Sequence, residues 1–379
     1  MKVLFVAGGS GGVIFAITPL AQALRNLGHE VFMAAPSNVM STVAGGGIAP
    51  VPVTDKTMLE FMFSDRNGVP VQRPTDVHDR TIFNGRGMGR FAAASFAGLK
   101  PFTEHWKPDL VVGGALSFAA PLIAAHLGVP FVNHAIDMGE PRQIDLAATA
   151  ELAPELESLG LRSMPEPDLF VDICPPSLRR ADAPPAQLMR YIPANTQTPV
   201  EPWMHTAGER PRVLVTAGSR VTKEFDIDIL RGLVDKVGGL DIELLIAVPP
   251  SAAEELGTLP ENVRMGWLPL DVVARTCSLL VHHTGGNTML TGMANGVPQV
   301  LIPYLPYVVD YATRLTDYGA STMIMPGDDT PENLATACER LLADPSYRAR
   351  AADVAAEMSQ LPTPFAVAER LEKLVAERA

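Results

Sequence analysis

No stretch of 18 consecutive apolar residues and no run of Lys or Arg occurs anywhere in the 379 residues. The first absence excludes a transmembrane helix and stable membrane insertion, since a span needs about 20 predominantly apolar residues. The second, with a formal net charge of −12 and a pI near 5.2, argues against a nucleic-acid or anionic-membrane partner. Cysteine is scarce. Cys174, Cys277 and Cys338 are odd in number, far apart and without a Cys-x-x-Cys spacing, so neither a disulfide framework nor a zinc site is expected and a cytoplasmic location fits. The apolar N-terminal run is broken by Gly8, Gly9, Gly11 and Gly12 and passes into Ala21-Gln22-Ala23-Leu24-Arg25, which is a strand, turn and helix rather than a signal peptide. Three nucleotide fingerprints are missing as well. G-x-G-x-x-G fits no frame of the first turn, because the third glycine falls on Val13 or Ile14, and no acidic residue follows the second strand; a dinucleotide-binding dehydrogenase is thereby disfavoured. G-K-[ST] is absent, which excludes a P-loop, and no Asp-x-Asp or His/Asp cluster falls at the strand ends that would face a ligand, so neither a metal nor a further cofactor is expected.

What is present is an apolar fraction of 47% and a length that suits two domains of roughly 150–200 residues each. The first half reads as strand (Lys2 to Ala7), helix (Ile14 to Leu27) and strand (Glu30 to Ala35), a βαβ unit. Strands at Pro108–Gly114, Val129–His134 and Leu169–Cys174 and helices at Ser117–Leu127 and Glu151–Leu161 continue it. Tyr191 to Pro211 is rich in Pro, Asn, Thr and Gln and reads as a connector. After it the rhythm restarts with strands at Arg212–Thr216, Ile242–Ala247 and Asn262–Gly266, a helix at Asp226–Val237, and a last amphipathic helix from Ala366 to Arg378. Thr54 to Gly98 is expected to be a loop-built insertion; its Phe61, Phe83 and Met88, with Met138 further on, are candidates for the wall of an apolar acceptor pocket. Asp137 follows the strand ending at His134, where open α/β sheets place ligands, and is a candidate base.

The stretch Val281 to Pro303 organises the second half. It reads as a strand ending in His282-His283, a turn through Thr284, Gly285 and Gly286, a helix from Asn287 to Ala294 and a strand beginning near Pro298. Glycines before a helix let a ligand approach the backbone, and the helix N-terminus offers free N–H groups and the positive dipole end to an anion. His283, Gly285, Thr288, Gly296, Pro298 and Pro303 form His-x-Gly-x-x-Thr, Gly-x-Pro and a closing Pro. That pattern resembles the donor-binding signature of nucleotide-sugar glycosyltransferases. With LFVAGGS, LGVP, PDLFVDICPPSLR, EPWM, RVLVTAGSRV and GWLPLDVVA, the whole chain resembles a family 1 (GT-B) glycosyltransferase. The likeness is greatest to the actinomycete enzymes of the urdamycin and landomycin (angucycline) type that attach deoxysugars to aromatic polyketides.

The resemblance implies an α/β fold of two facing Rossmann-like domains with an interdomain cleft. The domains are then an acceptor-binding domain at 1–195, a linker at 196–211, a nucleotide-sugar-binding domain at 212–360, and a C-terminal helix at 361–379 packing back on the first domain. It also implies that Ser219 and Arg220 contact the donor phosphate and that Trp267, Leu268 and Pro269 lie near the base. His283, Gly285, Gly286, Asn287 and Thr288 would hold the diphosphate, and Asp310 would reach the sugar. Two departures matter. Many relatives carry a histidine base where this chain has Val13, so the base is expected to be Asp137 with Ser10 as its polar partner. The Asp-x-Gln or Asp-Gln pair that grips sugar hydroxyls in relatives falls here near Tyr307 and Val309, and a site with few hydrogen bonds suits a sugar lacking hydroxyls.

The expected function is a metal-independent, inverting hexosyltransferase that moves a 2,6-dideoxysugar (olivose-like) from dTDP to an aromatic polyketide, as a C- or O-glycoside, in antibiotic biosynthesis. The rivals are a UDP-sugar enzyme such as a 2-epimerase or N-acetylglucosaminyl transferase, and a non-catalytic donor-binding helper. The oligomeric state is not legible; a homodimer is the commonest assembly for soluble chains.

Overall fold

Consecutive apolar residues without alternation predict strands covered on both faces, and the first such run, β1 (Lys2–Val6), is buried from Val3 to Val6. The computed structural model describes residues 1–139, 142–216, 241–249, 260–305 and 307–378. Two units emerge, one made of Met1–Ile173, Asp182–Arg190 and Leu361–Ala379, the other of Cys174–Ala181 and Tyr191–Gln360.

In the first unit β1 is followed by α1 (Gly11–Asn26), β2 (Glu30–Ala35), α2 (Met40–Gly45), β3 (Ala49–Pro52), α3 (Met58–Met62), α4 (Val77–His105) and β4 (Leu110–Gly114). Then come α5 (Ala119–Leu127), β5 (Phe131–His134), α6 (Arg142–Glu151), α7 (Ala153–Ser158), β6 (Leu169–Asp172) and β7 (Gln187–Leu188). All pair in parallel in the order β3-β2-β1-β4-β5-β6-β7. The order reverses between β1 and β4, which leaves a crevice at their C-terminal ends.

The expected loop insertion over 54–98 is corrected here: most of it is helix, and α4 runs for 29 residues. Asp76 caps it, its carboxylate accepting from the His78 and Asp79 N–H groups at 2.8 and 3.0 Å. The glycines that suggest a loop are instead its packing face. A Cβ at Gly85 would lie 2.5 Å from the Ile144 carbonyl oxygen, and one at Gly89 would lie 2.7 Å from Glu151 Cβ, so the i, i+4 pair of glycines lets α6 approach the α4 backbone. Gly98 is tighter still, its Cβ position being 2.0 Å from the Val53 carbonyl oxygen.

The second unit contains α8 (Pro202–His205), β8 (Arg212–Thr216), β9 (Glu243–Ala247), β10 (Val263–Gly266), α9 (Leu270–Val273), β11 (Leu279–His282), α10 (Gly286–Ala294) and β12 (Gln299–Leu301). It continues with α11 (Val308–Tyr318), β13 (Ser321–Met323), α12 (Pro331–Ala343) and α13 (Pro345–Gln360). The parallel order is β10-β9-β8-β11-β12-β13, reversing between β8 and β11. Alternate residues serve opposite faces: Val213, Val215, Leu244 and Val281 pack with Leu334, Cys338 and Leu341 of α12, and Leu214, Leu245 and Leu280 pack with Met204, Leu268 and Val273. The helix expected at Asp226–Val237 lies outside the described residues.

The division between units differs from a boundary at 195. It falls after Arg190, and Cys174–Ala181 groups with the second unit, where Glu357 accepts from the Ser177 N–H and hydroxyl at 2.8 and 2.5 Å. The last helix, α14 (Pro364–Arg378), packs on α1 within the first unit, with His29 Nε2 2.7 Å from Glu372.

Gly98→Ala tests the close approach of α4. Alanine favours a helix interior over glycine, yet here its methyl would overlap the Val53 carbonyl, so the expected outcome is a loss of about 1–3 kcal/mol, read as a lowered thermal midpoint. A midpoint equal to or above that of the parent would show that the backbone yields.

Candidate functional site

In the second unit the strand order reverses at β8 and β11, whose last residues are Thr216 and His282. The turn His283–Gly285 leads from that point into α10. Gly285 is the N-cap of α10 and carries no side chain to cap the helix, so the first-turn N–H groups of Gly286, Asn287 and Thr288 face the turn at the positive end of the helix dipole, where an anion is favoured. His283, Gly285, Gly286 and Asn287 are partly exposed, while Thr284 and Thr288 are buried. The His283 ring lies across the helix start: a Cβ at Gly285 would be 2.6 Å from its Nε2. A side chain at 285 would therefore displace the ring from this position. Of the residues singled out for an anion, His283, Gly285, Gly286, Asn287 and Thr288 lie together at this turn.

What holds this turn was missed from the sequence. Thr284 adopts φ 61°, a left-handed conformation that is costly for a β-branched residue, of order 1–3 kcal/mol. Its N–H donates to His282 Nδ1 at 3.1 Å, and its carbonyl accepts from the Tyr311 hydroxyl at 3.2 Å. Because Nδ1 accepts, the His282 proton is on Nε2, which faces Gln299 Oε1 at 2.7 Å. The Gln299 amide then donates to the Met289 carbonyl in α10 at 3.1 Å. Gly292 makes room, since a Cβ there would be 2.6 Å from Gln299 Nε2. Burial pushes the His282 imidazole down to about 3, with the Gln299 hydrogen bond opposing. A second missed residue is Tyr191, at the start of the presumed connector. Its hydroxyl donates to the Asn287 carbonyl at 3.2 Å and lies 3.3 Å from Thr291 Oγ1. One signal existed for Gln299: a lone amide within an otherwise apolar, buried strand requires partners.

The other expected contacts in this unit spread along the same sheet edge. Trp267, Leu268 and Pro269 follow β10, three strand spacings from β11, roughly 15 Å. Gly266 before them has φ 150°. Trp267 is half-buried and its Nε1 donates to the Thr196 carbonyl at 3.4 Å. The Leu268 side chain is in the core, leaving its backbone rather than its side chain for a ligand. Asp310, 54% exposed, pairs with Arg180 at 3.7 Å and Arg314 at 3.4 Å. Ser219 and Arg220 lie outside the described residues.

In the first unit the crevice between β1 and β4 is bordered by Gly8, Gly114 and Val13. A Cβ at Gly114 would be 3.0 Å from a Val13 methyl, so a small apolar contact occupies the place where a histidine was absent. Ser10 is the N-cap of α1, yet its hydroxyl does not cap the helix. Asp137 lies beyond β5 and accepts from the Gly139 N–H at 3.0 Å. With β4 between β1 and β5, the two candidates sit on one sheet edge, two strand spacings or about 10 Å apart at the strands. His134, the last residue of β5, is fully buried; its Nδ1–H donates to the Ala135 carbonyl at 2.6 Å, and burial pushes its imidazole down to about 4. Leu116, in the turn after β4, has φ 69°, a strained value of the kind that gathers at functional sites.

Phe83, buried, packs on Phe63 at 5.6 Å between ring centres, and Phe61 packs on Phe91 at 5.7 Å, which ties α3 to α4. Met88 is half-buried and Met138 is buried. Among the described residues no group of three or more His, Cys, Asp or Glu is placed to hold a metal ion, and no helix is long and apolar enough to cross a membrane.

Comparison with known proteins agrees with this geometry. Residues 22–218 match the family described as "Erythromycin biosynthesis protein CIII-like, N-terminal domain", and residues 231–374 match its C-terminal domain. The chain is 31% identical over 375 residues to L-demethylnoviosyl transferase of Streptomyces niveus, covering 98% of this chain and 97% of that one. It is similar to the Streptomyces sp. SF2575 glycosyltransferase SsfS6 complexed with thymidine diphosphate, with 35% identity, a TM-score of 0.86 and coverage of 98% and 99% of the two chains. It is similar too to the spinosyn rhamnosyltransferase SpnG complexed with spinosyn aglycone, with 26% identity, a TM-score of 0.85 and coverage of 98% and 100%.

The two buried imidazoles give a pH signature. Each binds a proton more readily in the unfolded chain, so the stability they carry is complete above pH 6.5 and is lost as pH falls towards about 4 for His134 and about 3 for His282. At pH 5, nitrogen-15 NMR should find the His134 and His282 imidazoles neutral, whereas a free imidazole is mostly charged at that pH. Titration of His134 and His282 near the usual value would contradict the burial.

Proposed function

From the premise that this chain belongs to the erythromycin biosynthesis protein CIII-like family and is a glycosyltransferase of the GT-B class that takes a TDP-sugar, we propose that it moves a 2,6-dideoxysugar, olivose-like, onto an aromatic polyketide with inversion at the anomeric carbon. One observation carries the reading: a helix N-terminus begun by glycine with a histidine ring laid across it, at the point where a parallel sheet reverses its strand order. A diphosphate fits both its charge and its N–H groups. The thymidine diphosphate bound by SsfS6 and the aglycone bound by SpnG support the same two ligand classes here.

In this reading the second unit holds the donor. His283 and the N–H groups of Gly286 to Thr288 bind the diphosphate, with Ser219 and Arg220 joining them. Trp267, Pro269 and the Leu268 backbone meet the thymine. Asp310, held by Arg180 and Arg314, offers its remaining acceptor capacity to a sugar hydroxyl. The first unit holds the acceptor against Met88, Met138 and the α3–α4 aromatic residues Phe61 and Phe83. Asp137, assisted by Ser10, takes the phenolic proton as the phenolate oxygen attacks the anomeric carbon; in the C-linked case the ring carbon ortho to it attacks, and that carbon's own proton is then lost as the aromatic phenol is re-formed. The bond from the anomeric carbon to the diphosphate oxygen breaks, and its electron pair leaves on TDP. His283 and the helix dipole stabilise the charge that develops there.

Two experiments follow. Asp137→Asn should lower kcat by about 10²–10⁴-fold and leave TDP affinity near the parent value; full retained turnover would remove Asp137 from the role of base. Incubation with a dTDP-2,6-dideoxysugar and an angucycline-type phenol should yield a glycosylated product. Loss of the sugar in hot acid marks an O-glycoside and its retention a C-glycoside; no product with any dideoxysugar would refute the proposed donor class.

A further inference from the structure

The turn proposed to hold the diphosphate in the second unit rests on a chain of buried hydrogen bonds between protein groups. Tyr311, Thr284, His282 and Gln299 are each about 1% exposed. Water therefore cannot replace any link. The chain starts on α11 with the Tyr311 hydroxyl donating to the Thr284 carbonyl. It passes through the Thr284 N–H to His282 Nδ1 and from His282 Nε2–H to Gln299 Oε1 on β12. It ends where the Gln299 amide donates to the Met289 carbonyl of α10. Three elements around the anion site are thus tied to one residue, Thr284, which sits between His283 and the helix N-cap and stands in a conformation its own side chain disfavours.

We infer that Tyr311, His282 and Gln299 are positioning residues for the transferase reaction: they hold Thr284 left-handed, and so keep the His283 ring and the first N–H groups of α10 aimed at the diphosphate. The inference rests on the diphosphate reading given above. Without the relay, Thr284 relaxes towards negative φ, the direction of the chain into Gly285 changes, and the ring and N–H groups no longer converge. The neutral tautomer of His282 is essential to this, because an Nδ1 that carried a proton could not accept from Thr284. The nucleoside-binding region after β10 is remote from the relay along the sheet edge. Its function is therefore expected to survive the loss of the relay.

That separation supplies the test. Calorimetric titration of the full chain with thymidine diphosphate and, separately, with thymidine measures the diphosphate and nucleoside contributions. For the parent, a strong preference for thymidine diphosphate is expected; absence of any preference would overturn the diphosphate reading itself, and this inference with it. Tyr311→Phe removes one hydroxyl and is expected to weaken thymidine diphosphate binding by roughly 5- to 10-fold, the value of one hydrogen bond, with thymidine binding unchanged. His282→Leu should weaken it further. His282→Asn, which retains an acceptor near the Nδ1 position, should recover much of the loss. If the leucine variant does not fold, Tyr311→Phe decides alone. Variants that bind both ligands like the parent, or lose both equally, would overturn the positioning role.

Discussion

Parallel pairing of β11 with β8 on one side and β12 on the other places His282 at the end of a central strand, and the second unit's candidate chemistry depends on that placement. Parallel strands have no exposed face, so their residues are apolar and their functional groups collect at the ends. At β11 the next residues must leave the sheet and start a helix within three positions. The helix dipole, the N–H groups and the imidazole therefore converge on one spot. The same strand reversal recurs in the first unit between β1 and β4, where Gly8 to Gly12 and Ser10 occupy the equivalent crevice.

Glycine has two separate uses in this chain. At 285 and 292 it gives space to a neighbouring imidazole and amide, so it serves the site. Along α4, at 85, 89 and 98, it gives space to the backbones of α6 and of Val53, so it serves packing. Thr284 shows the converse: a residue other than glycine stands at positive φ, and its surroundings rather than its own preference hold it there. The buried His282, Gln299 and Tyr311 supply that constraint at the cost of keeping polar groups away from water, which is tolerable because each is matched.

The strands were legible because burial on both faces leaves an unbroken apolar signature; β2 and β8 begin and end at the residues read from the sequence. The turn after β11 was legible for a related reason, as His283, Gly285 and Thr288 are close in sequence and their spacing alone defines a turn and a helix start. α4 was not. Its glycines lower intrinsic helix preference, and only the presence of α6 turns that weakness into contact. The burial of the Leu268 and Phe83 side chains was not legible, because an apolar residue lining a site and one beneath it look alike in a sequence.

By itself, then, the sequence determined the alternating α/β architecture, the two-unit scale, and the local turn that can hold an anion, since each follows from periodicity or from residues within a few positions. The tertiary structure alone decided the course of 54–98, the grouping of Cys174–Ala181 with the second unit, and the support of Thr284 by residues up to 27 positions away. Those depend on hydrogen bonds and close approaches between distant segments. A buried polar group announces that it needs a partner, but only the fold says which one it finds.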